Sequence, residues 1–201
     1  MDSQLVDGGF AQPVLDAQQG FRALMDGLAN PGTVRPLDFD LAPPAPLTRE
    51  LAAIALTLCD HDSPIWLDAL LAKSDAVIGW LRFHTGATIV SEPAEADFAL
   101  IADPAAMPSL DRFALGSDQY PDRSTTLAVA ISGFAGGALL RLKGPGIKAD
   151  ATIAPSGLGA EFLDQWTANR ALFPRGVDLL LVADGEVIGL PRTTRISLEG
   201  Q

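Results

Sequence analysis

The chain has 201 residues, 48% of them hydrophobic and 19% charged, which suits one packed domain and excludes a disordered protein. Its formal net charge is −11 and no basic run of five or more residues offsets it, so nonspecific DNA or RNA binding is not expected. No apolar run approaches the roughly 20 residues of a bilayer span, and Met1–Phe10 lacks the basic start and apolar core of a signal peptide, so a cytoplasmic location is expected.

Residues 1–15 read as a flexible or loosely docked lead-in and residues 16–201 as a single α/β domain. A first helix is expected from Asp16 to Ala29, where Ala17, Phe21, Leu24, Met25 and Leu28 form one apolar stripe. Asp16 with Gln19 makes a loose capping box, and Asn30-Pro31-Gly32 supplies the stop. Arg22 lies off that stripe and reads either as a solvated or interface arginine or as an anion ligand. Pro36, Pro43, Pro44 and Pro46 mark an extended connector. Thr48 then caps a second helix that ends near Asp60 and buries Leu51, Ile54, Ala55 and Leu58. A third helix, 74–83, turns Val77, Ile78 and Leu81 inward and stops at Gly86.

The second half is richer in strands. Residues 96–101 read as a short buried strand. The β-rich runs 125–132 and 138–143, split by Gly133, Gly136 and Gly137, read as a hairpin. A helix over 159–169 carries Phe162, Leu163 and Trp166. Residues 178–183 and 186–190 form a second hairpin about Asp184-Gly185, and a last run, 194–198, extends the sheet. Helices followed by hairpins mixed with helices imply an α/β layered sandwich with a mixed sheet.

Candidate chemistry begins with what is missing. The sequence has no phosphate loop of the G-x-x-x-x-G-K-[ST] type, no G-x-G-x-x-G after a strand, no H-E-x-x-H, no paired C-x-x-C and no G-x-S-x-G. The single cysteine, Cys59, rules out an internal disulfide and a four-cysteine cluster, and reads as a small buried hydrophobe. Of the 14 basic residues only Lys73, Lys143 and Lys148 are lysines. The arginine bias suits two-point recognition of phosphate or carboxylate, and equally suits interface ion pairs.

Three clusters carry alternatives. Asp60-His61-Asp62-Ser63-Pro64 offers an acid, an imidazole and an acid for a metal or a general base, or else ordinary turn chemistry. Arg82-Phe83-His84 closes a helix, where the dipole favours cations without any function; functionally, Arg82 and His84 present charge and a titratable ring to an anion. The third cluster joins Gly144-Pro145-Gly146, Phe173–Asp178 and Pro191–Arg195. Arg192 and Arg195, three apart, form an anion clamp if their segment is a loop and point to opposite faces if it is a strand. No metal site is expected.

The islands FRALMDGLANPG (21–32), TLCDHDSPIWL (57–67), LRFHTGA (81–87), ADFALI (96–101), LRLKGPGI (140–147), FPRGVDLLLV (173–182) and LPRTTR (190–195) stand in series. In this order and at this spacing the chain resembles, from about Val14 to Ser197, the PhnH family, subunits of the bacterial carbon–phosphorus lyase core complex. The resemblance implies a degenerate relative of the pyridoxal-phosphate-dependent transferase fold that has lost its cofactor. It implies a homodimer that joins PhnG, PhnI and PhnJ. That assembly, with a nucleotide-binding partner, transfers an alkylphosphonate onto the ribose of a nucleoside triphosphate before PhnJ cleaves the carbon–phosphorus bond. No settled catalytic residues carry over from the family, which leaves Arg22, His61, Arg82, His84, Arg192 and Arg195 as candidate ligand-binding residues only.

Three functions fit these observations. The chain is a scaffold that organises the assembly, or its arginine–histidine clusters bind phosphonate or nucleotide phosphates during the transferase step, or it is a free-standing pyridoxal-phosphate enzyme. The last needs a lysine in a desolvated pocket, and Lys143 and Lys148 bracket a turn while Lys73 lies at the polar start of a helix.

Overall fold

A computed structural model describes residues 7–200; the lead-in residues 1–6 lie outside them. Five helices, α1 (Pro13–Ala29), α2 (Arg49–Leu58), α3 (Ala69–Ala72), α4 (Asp75–Thr85) and α5 (Phe162–Ala171), accompany ten strands. The strands are β1 (Arg35–Pro36), β2 (Ile65–Leu67), β3 (Ile89–Val90), β4 (Phe98–Ile101), β5 (Thr126–Ala130), β6 (Leu140–Lys143), β7 (Ala151–Ile153), β8 (Asp178–Ala183), β9 (Glu186–Leu190) and β10 (Arg195–Leu198). Seven strands form one sheet in the order β1-β9-β8-β5-β4-β2-β3, and β10-β6-β7 form a second, smaller one. In the large sheet β3, β2, β4, β5 and β8 are parallel while β9 and β1 are antiparallel to their neighbours. The layered α/β architecture with a mixed sheet is therefore present.

Both faces of the large sheet are covered, and its central strands show it. In β8, Leu180 and Val182 enter the core beneath the first helices with Leu24, Leu51, Ile54, Trp80 and Leu81. Leu179 and Leu181 enter the opposite core with Phe162 and Trp166 of α5 and Leu140 and Leu142 of β6. A strand buried on two faces has no polar alternation, the usual signature of a central parallel strand. The result is three layers: α1, α2 and α4; the large sheet; and α5 with the small sheet.

Several boundaries and pairings differ from the sequence expectation. The first helix starts at Pro13, whose missing N–H suits a first-turn position. The described part of the lead-in is docked: the Asp7 carbonyl accepts a 3.1 Å bond from Trp80 Nε1, and Phe10 meets Phe39 edge to face. On α1 the buried residues are Gly20, Leu24 and Gly27, whereas Phe21 and Met25 are 49% and 42% exposed. The helix meets the sheet along a glycine seam. A Cβ at Gly189 of β9 would stand 2.5 Å from the Gly27 carbonyl carbon, so backbone touches backbone there.

The expected 125–143 hairpin does not form. β5 pairs with β4 and β8, while β6 pairs with β7 and β10. The reason lies in side-chain pattern: Leu127, Ala128 and Val129 are all buried, as in a central strand covered on both faces, while β6 alternates buried Leu140 and Leu142 with half-buried Arg141 and exposed Lys143. The glycines between them are not a tight turn but lie along 154–156, with Gly137 N–H donating to Ala154 and Ser156 N–H to Gly133. For the same reason the last run, β10, extends the small sheet and not the large one. The second hairpin does form about Asp184-Gly185, both at positive φ (52° and 74°), as a tight two-residue turn requires. Thr48 caps α2 as expected, the Ser74 hydroxyl accepts from Val77 N–H at the start of α4, and Gly86 ends that helix in the left-handed region.

Candidate functional site

Where β6, the end of α5 and the β9–β10 loop meet, a cleft of about 360 Å³ opens. Its charged lining consists of Lys143, Arg170, Arg192 and Arg195, with no carboxylate among the lining residues. In a chain with 25 acidic and 14 basic residues, that is a local reversal of sign.

Each cation is placed by ordinary structural chemistry. The antiparallel register of β6 and β10 sets Lys143 opposite Arg195, so both side chains leave the same face. Arg170 stands in the last turn of α5, where the helix dipole favours a cation. One turn earlier Trp166 is fully buried and donates its Nε1–H to the Thr194 carbonyl at 2.9 Å, holding the β9–β10 loop against α5. That loop is a turn closed by Thr194 N–H on the Pro191 carbonyl at 2.8 Å. Arg192 in that loop and Arg195 at the start of β10 line one cleft.

Their roles differ. Arg192 directs Nε and Nη2 at the two oxygens of Asp178, Nη1 at the Pro121 carbonyl (2.8 Å) and Nη2 also at Ser124 Oγ (2.6 Å). Its guanidinium is committed to the protein, and it serves the cleft as a wall. Lys143, Arg170 and Arg195 take part in no ion pair among the described residues. Arg170 Nε is buried without a hydrogen-bond partner. The lining offers positive charge and N–H donors but no carboxylate, imidazole or thiol to act as general base. It suits holding an anion.

The remaining sequence candidates lie elsewhere. Arg22 and Arg82 are exposed on α1 and α4, and neither they nor His61 or His84 line the cleft. Asp60-His61-Asp62-Ser63 is a turn: Asp60 Oδ1 accepts from the Asp62 N–H and the Ser63 hydroxyl, both at 2.9 Å. Those bonds hold the Asp60 carboxyl below the usual carboxylate range. His61 is solvent-exposed beside Asp62, 3.3 Å away, and its Cα and Cβ adjoin Gly86, two residues beyond His84. The two histidines are thus near neighbours, yet the His84 ring turns inward onto Trp80 (4.4 Å between centroids) with Nε2 buried and unpartnered. Among the described residues no three His, Cys, Asp or Glu side chains are grouped as a metal-ligand set. Cys59 is buried, and burial pushes its thiol far up, so it is no nucleophile.

Burial lowers the His84 pKa, partly offset by the Asp7 carbonyl. A folded-state value below the unfolded one means the unfolded chain takes up the proton first. Stability is therefore expected to decline as pH falls below the ordinary value of about 6.5, and His84→Phe, which keeps the ring contact, should flatten that decline. Urea unfolding at pH 7.5 and 5.5 reads the difference; equal slopes for both proteins contradict it.

Arg170 and Lys143 escaped the sequence reading. A cation in the last helical turn looks like dipole chemistry, and a lysine before Gly-Pro-Gly looks like turn flank; only the strand register reveals what they face.

The fold is thus a layered α/β sandwich with a mixed sheet and one cleft lined by basic side chains. The family model described as bacterial phosphonate metabolism protein (PhnH) matches residues 8–197. Alpha-D-ribose 1-methylphosphonate 5-triphosphate synthase subunit PhnH of Rhizobium meliloti (strain 1021) is 52% identical over 197 residues, covering 98% of each chain. A protein of Stutzerimonas stutzeri provisionally named C-P lyase subunit protein HtxG is 35% identical over 183 residues, 91% of this chain and 87% of that one. The chain belongs to the PhnH family.

Proposed function

We propose that this chain is a subunit of the assembly that forms a ribose 1-alkylphosphonate 5-triphosphate from a nucleoside triphosphate and a phosphonate, and that it acts through association rather than alone. The observation carrying this reading is end-to-end relatedness to a subunit of an alpha-D-ribose 1-methylphosphonate 5-triphosphate synthase, supported by a second relative named as a subunit of a C-P lyase. Subunits of the PhnG, PhnI and PhnJ type and a second copy of this chain are its partners in the cytoplasm. No helix among the described residues is long and apolar enough to cross a membrane, which is compatible with that location.

A non-catalytic part in that assembly is supported by the cleft's lack of a general base and by the inert Cys59. The likeness to a pyridoxal-phosphate-dependent transferase that has lost its cofactor belongs to the same reading. Lys73, Lys143 and Lys148 are all exposed, whereas a Schiff-base lysine needs a desolvated pocket; the residues do not fit the cofactor.

The test is genetic. A strain lacking this gene should grow on inorganic phosphate but not on methylphosphonate as sole phosphorus source, and a plasmid copy should restore growth. Undiminished growth of the deletion strain on methylphosphonate overturns the reading.

A further inference from the structure

We infer that the cleft between β6, α5 and the β9–β10 loop is a binding site for a polyphosphate group, held by Lys143, Arg170 and Arg195. This deepens the proposed function by giving the subunit a direct contact with a phosphorylated ligand, and it rests on that reading only for the ligand's source.

Three independent features point the same way. First, Lys143 and Arg195 are directly opposed across an antiparallel pair, and neither makes an ion pair among the described residues. Like charges in that position oppose folding, so an uncompensated pair marks a place where an external anion completes the charge balance. Second, Arg170 buries an Nε–H with no acceptor. Buried donors are almost always satisfied, and this exception belongs to a residue that lines the cleft, where an acceptor from outside can enter. Third, the neighbouring Arg192 is neutralised by Asp178 and held by Ser124 and Pro121, so the three cations that make no ion pair among the described residues line the cleft beside an arginine that is held in place.

Charge sets the ligand class. Three cations on one opening exceed what a single phosphonate or phosphate monoester needs, and match the three to four negative charges of a triphosphate chain. Because the cleft lies at the C-terminal end of α5, no helix N-terminus assists, and the anion affinity comes from the side chains alone. Phe173, 62% exposed, lines the same opening. A bare aromatic face beside a cationic cleft suits a planar base, which favours a nucleoside triphosphate over an inorganic chain.

The full-length protein is titrated calorimetrically with inorganic tripolyphosphate, ATP and methylphosphonate at low and moderate salt. Tripolyphosphate and ATP should bind, more weakly as salt rises, with methylphosphonate far weaker. Lys143→Ser, Arg170→Met and Arg195→Ser should each weaken binding by about tenfold or more, the worth of one charge-assisted hydrogen bond. The double variant Lys143→Ser/Arg195→Ser adds a readout that misfolding cannot imitate: without ligand it should melt higher than wild type, and tripolyphosphate should raise its melting temperature much less. Phe173→Ala should erase the preference for ATP over tripolyphosphate. No binding of either polyphosphate by the wild-type protein, or binding indifferent to the three substitutions, overturns the assignment. Such a failure leaves growth complementation untouched, so the two proposals fall separately.

Discussion

Replacing Arg192 with Met should lower the unfolding free energy by about 3–5 kcal/mol, the range seen when one partner of a largely buried ion pair is removed. The pair is secluded: the Arg192 and Asp178 side chains are 13% and 20% exposed. Without the guanidinium, Asp178 keeps only the Arg192 backbone N–H at 2.7 Å, and Ser124 and the Pro121 carbonyl lose their partner. The loss comes from the stranded carboxylate more than from the attraction itself. Replacing both partners, Asp178→Leu with Arg192→Met, should therefore cost much less than the sum of the single changes. Urea unfolding of the four proteins reads the coupling. Additive single and double effects would show that the pair is not the lock joining β8, the β9–β10 loop and the 121–124 segment.

Asp68→Ala should be comparably severe, about 3–5 kcal/mol, or on the order of 10 °C in melting temperature for a chain of this size. Asp68 is 1% exposed at the carboxyl end of β2. Its Oδ1 caps α3 through Leu71 N–H at 2.9 Å, and its Oδ2 accepts from Ala102 and Asp103 N–H at 2.8 and 2.7 Å. One carboxylate thus starts a helix and ties the ends of two parallel strands. Alanine leaves three backbone donors without acceptors. Asp68→Asn keeps one oxygen but turns an amide N–H toward donors, so it should fall between. A melting temperature for Asp68→Ala within 2 °C of wild type would refute this assignment.

Neither residue announced its role in the sequence alike. Arg192 stands out because two arginines separated by two threonines after a strand suggest anion binding, and the structure gives it an internal carboxylate instead. Asp68 carries one local signal, its cap on Leu71 N–H, but its other two partners lie 34 and 35 residues away and no local pattern encodes them. Local signals serve well where the physics is local: Thr48 as a cap, Gly86 as a stop, Asp184-Gly185 as a tight turn. They misled on α1, where periodicity counts apolar side chains and predicts Phe21 and Met25 inside. The true inner edge is Gly20, Leu24 and Gly27, because close backbone approach to Gly189 rewards the absence of a side chain. They misled again on β5 and β6, whose partners are set by burial on two faces against one, a property of the assembled layers.

The candidate site divides along the same line. The sequence offers Arg192 and Arg195 as a clamp if their segment is a loop; the structure places Arg192 in the β9–β10 loop and Arg195 first in β10, both on one cleft. Lys143 joins them only through the β6–β10 register and Arg170 only through the packing of α5. The histidines, conspicuous because the chain has two, sit on the far layer, one in solvent and one against Trp80.

Association as the source of this chain's usefulness is tested most directly by measuring nucleotide-dependent methylphosphonate turnover in three samples: the assembly purified with this chain, the same assembly purified without it, and the chain alone. Turnover in the first sample only is the predicted result. Substantial turnover by the solitary chain, or undiminished turnover by the assembly lacking it, contradicts it.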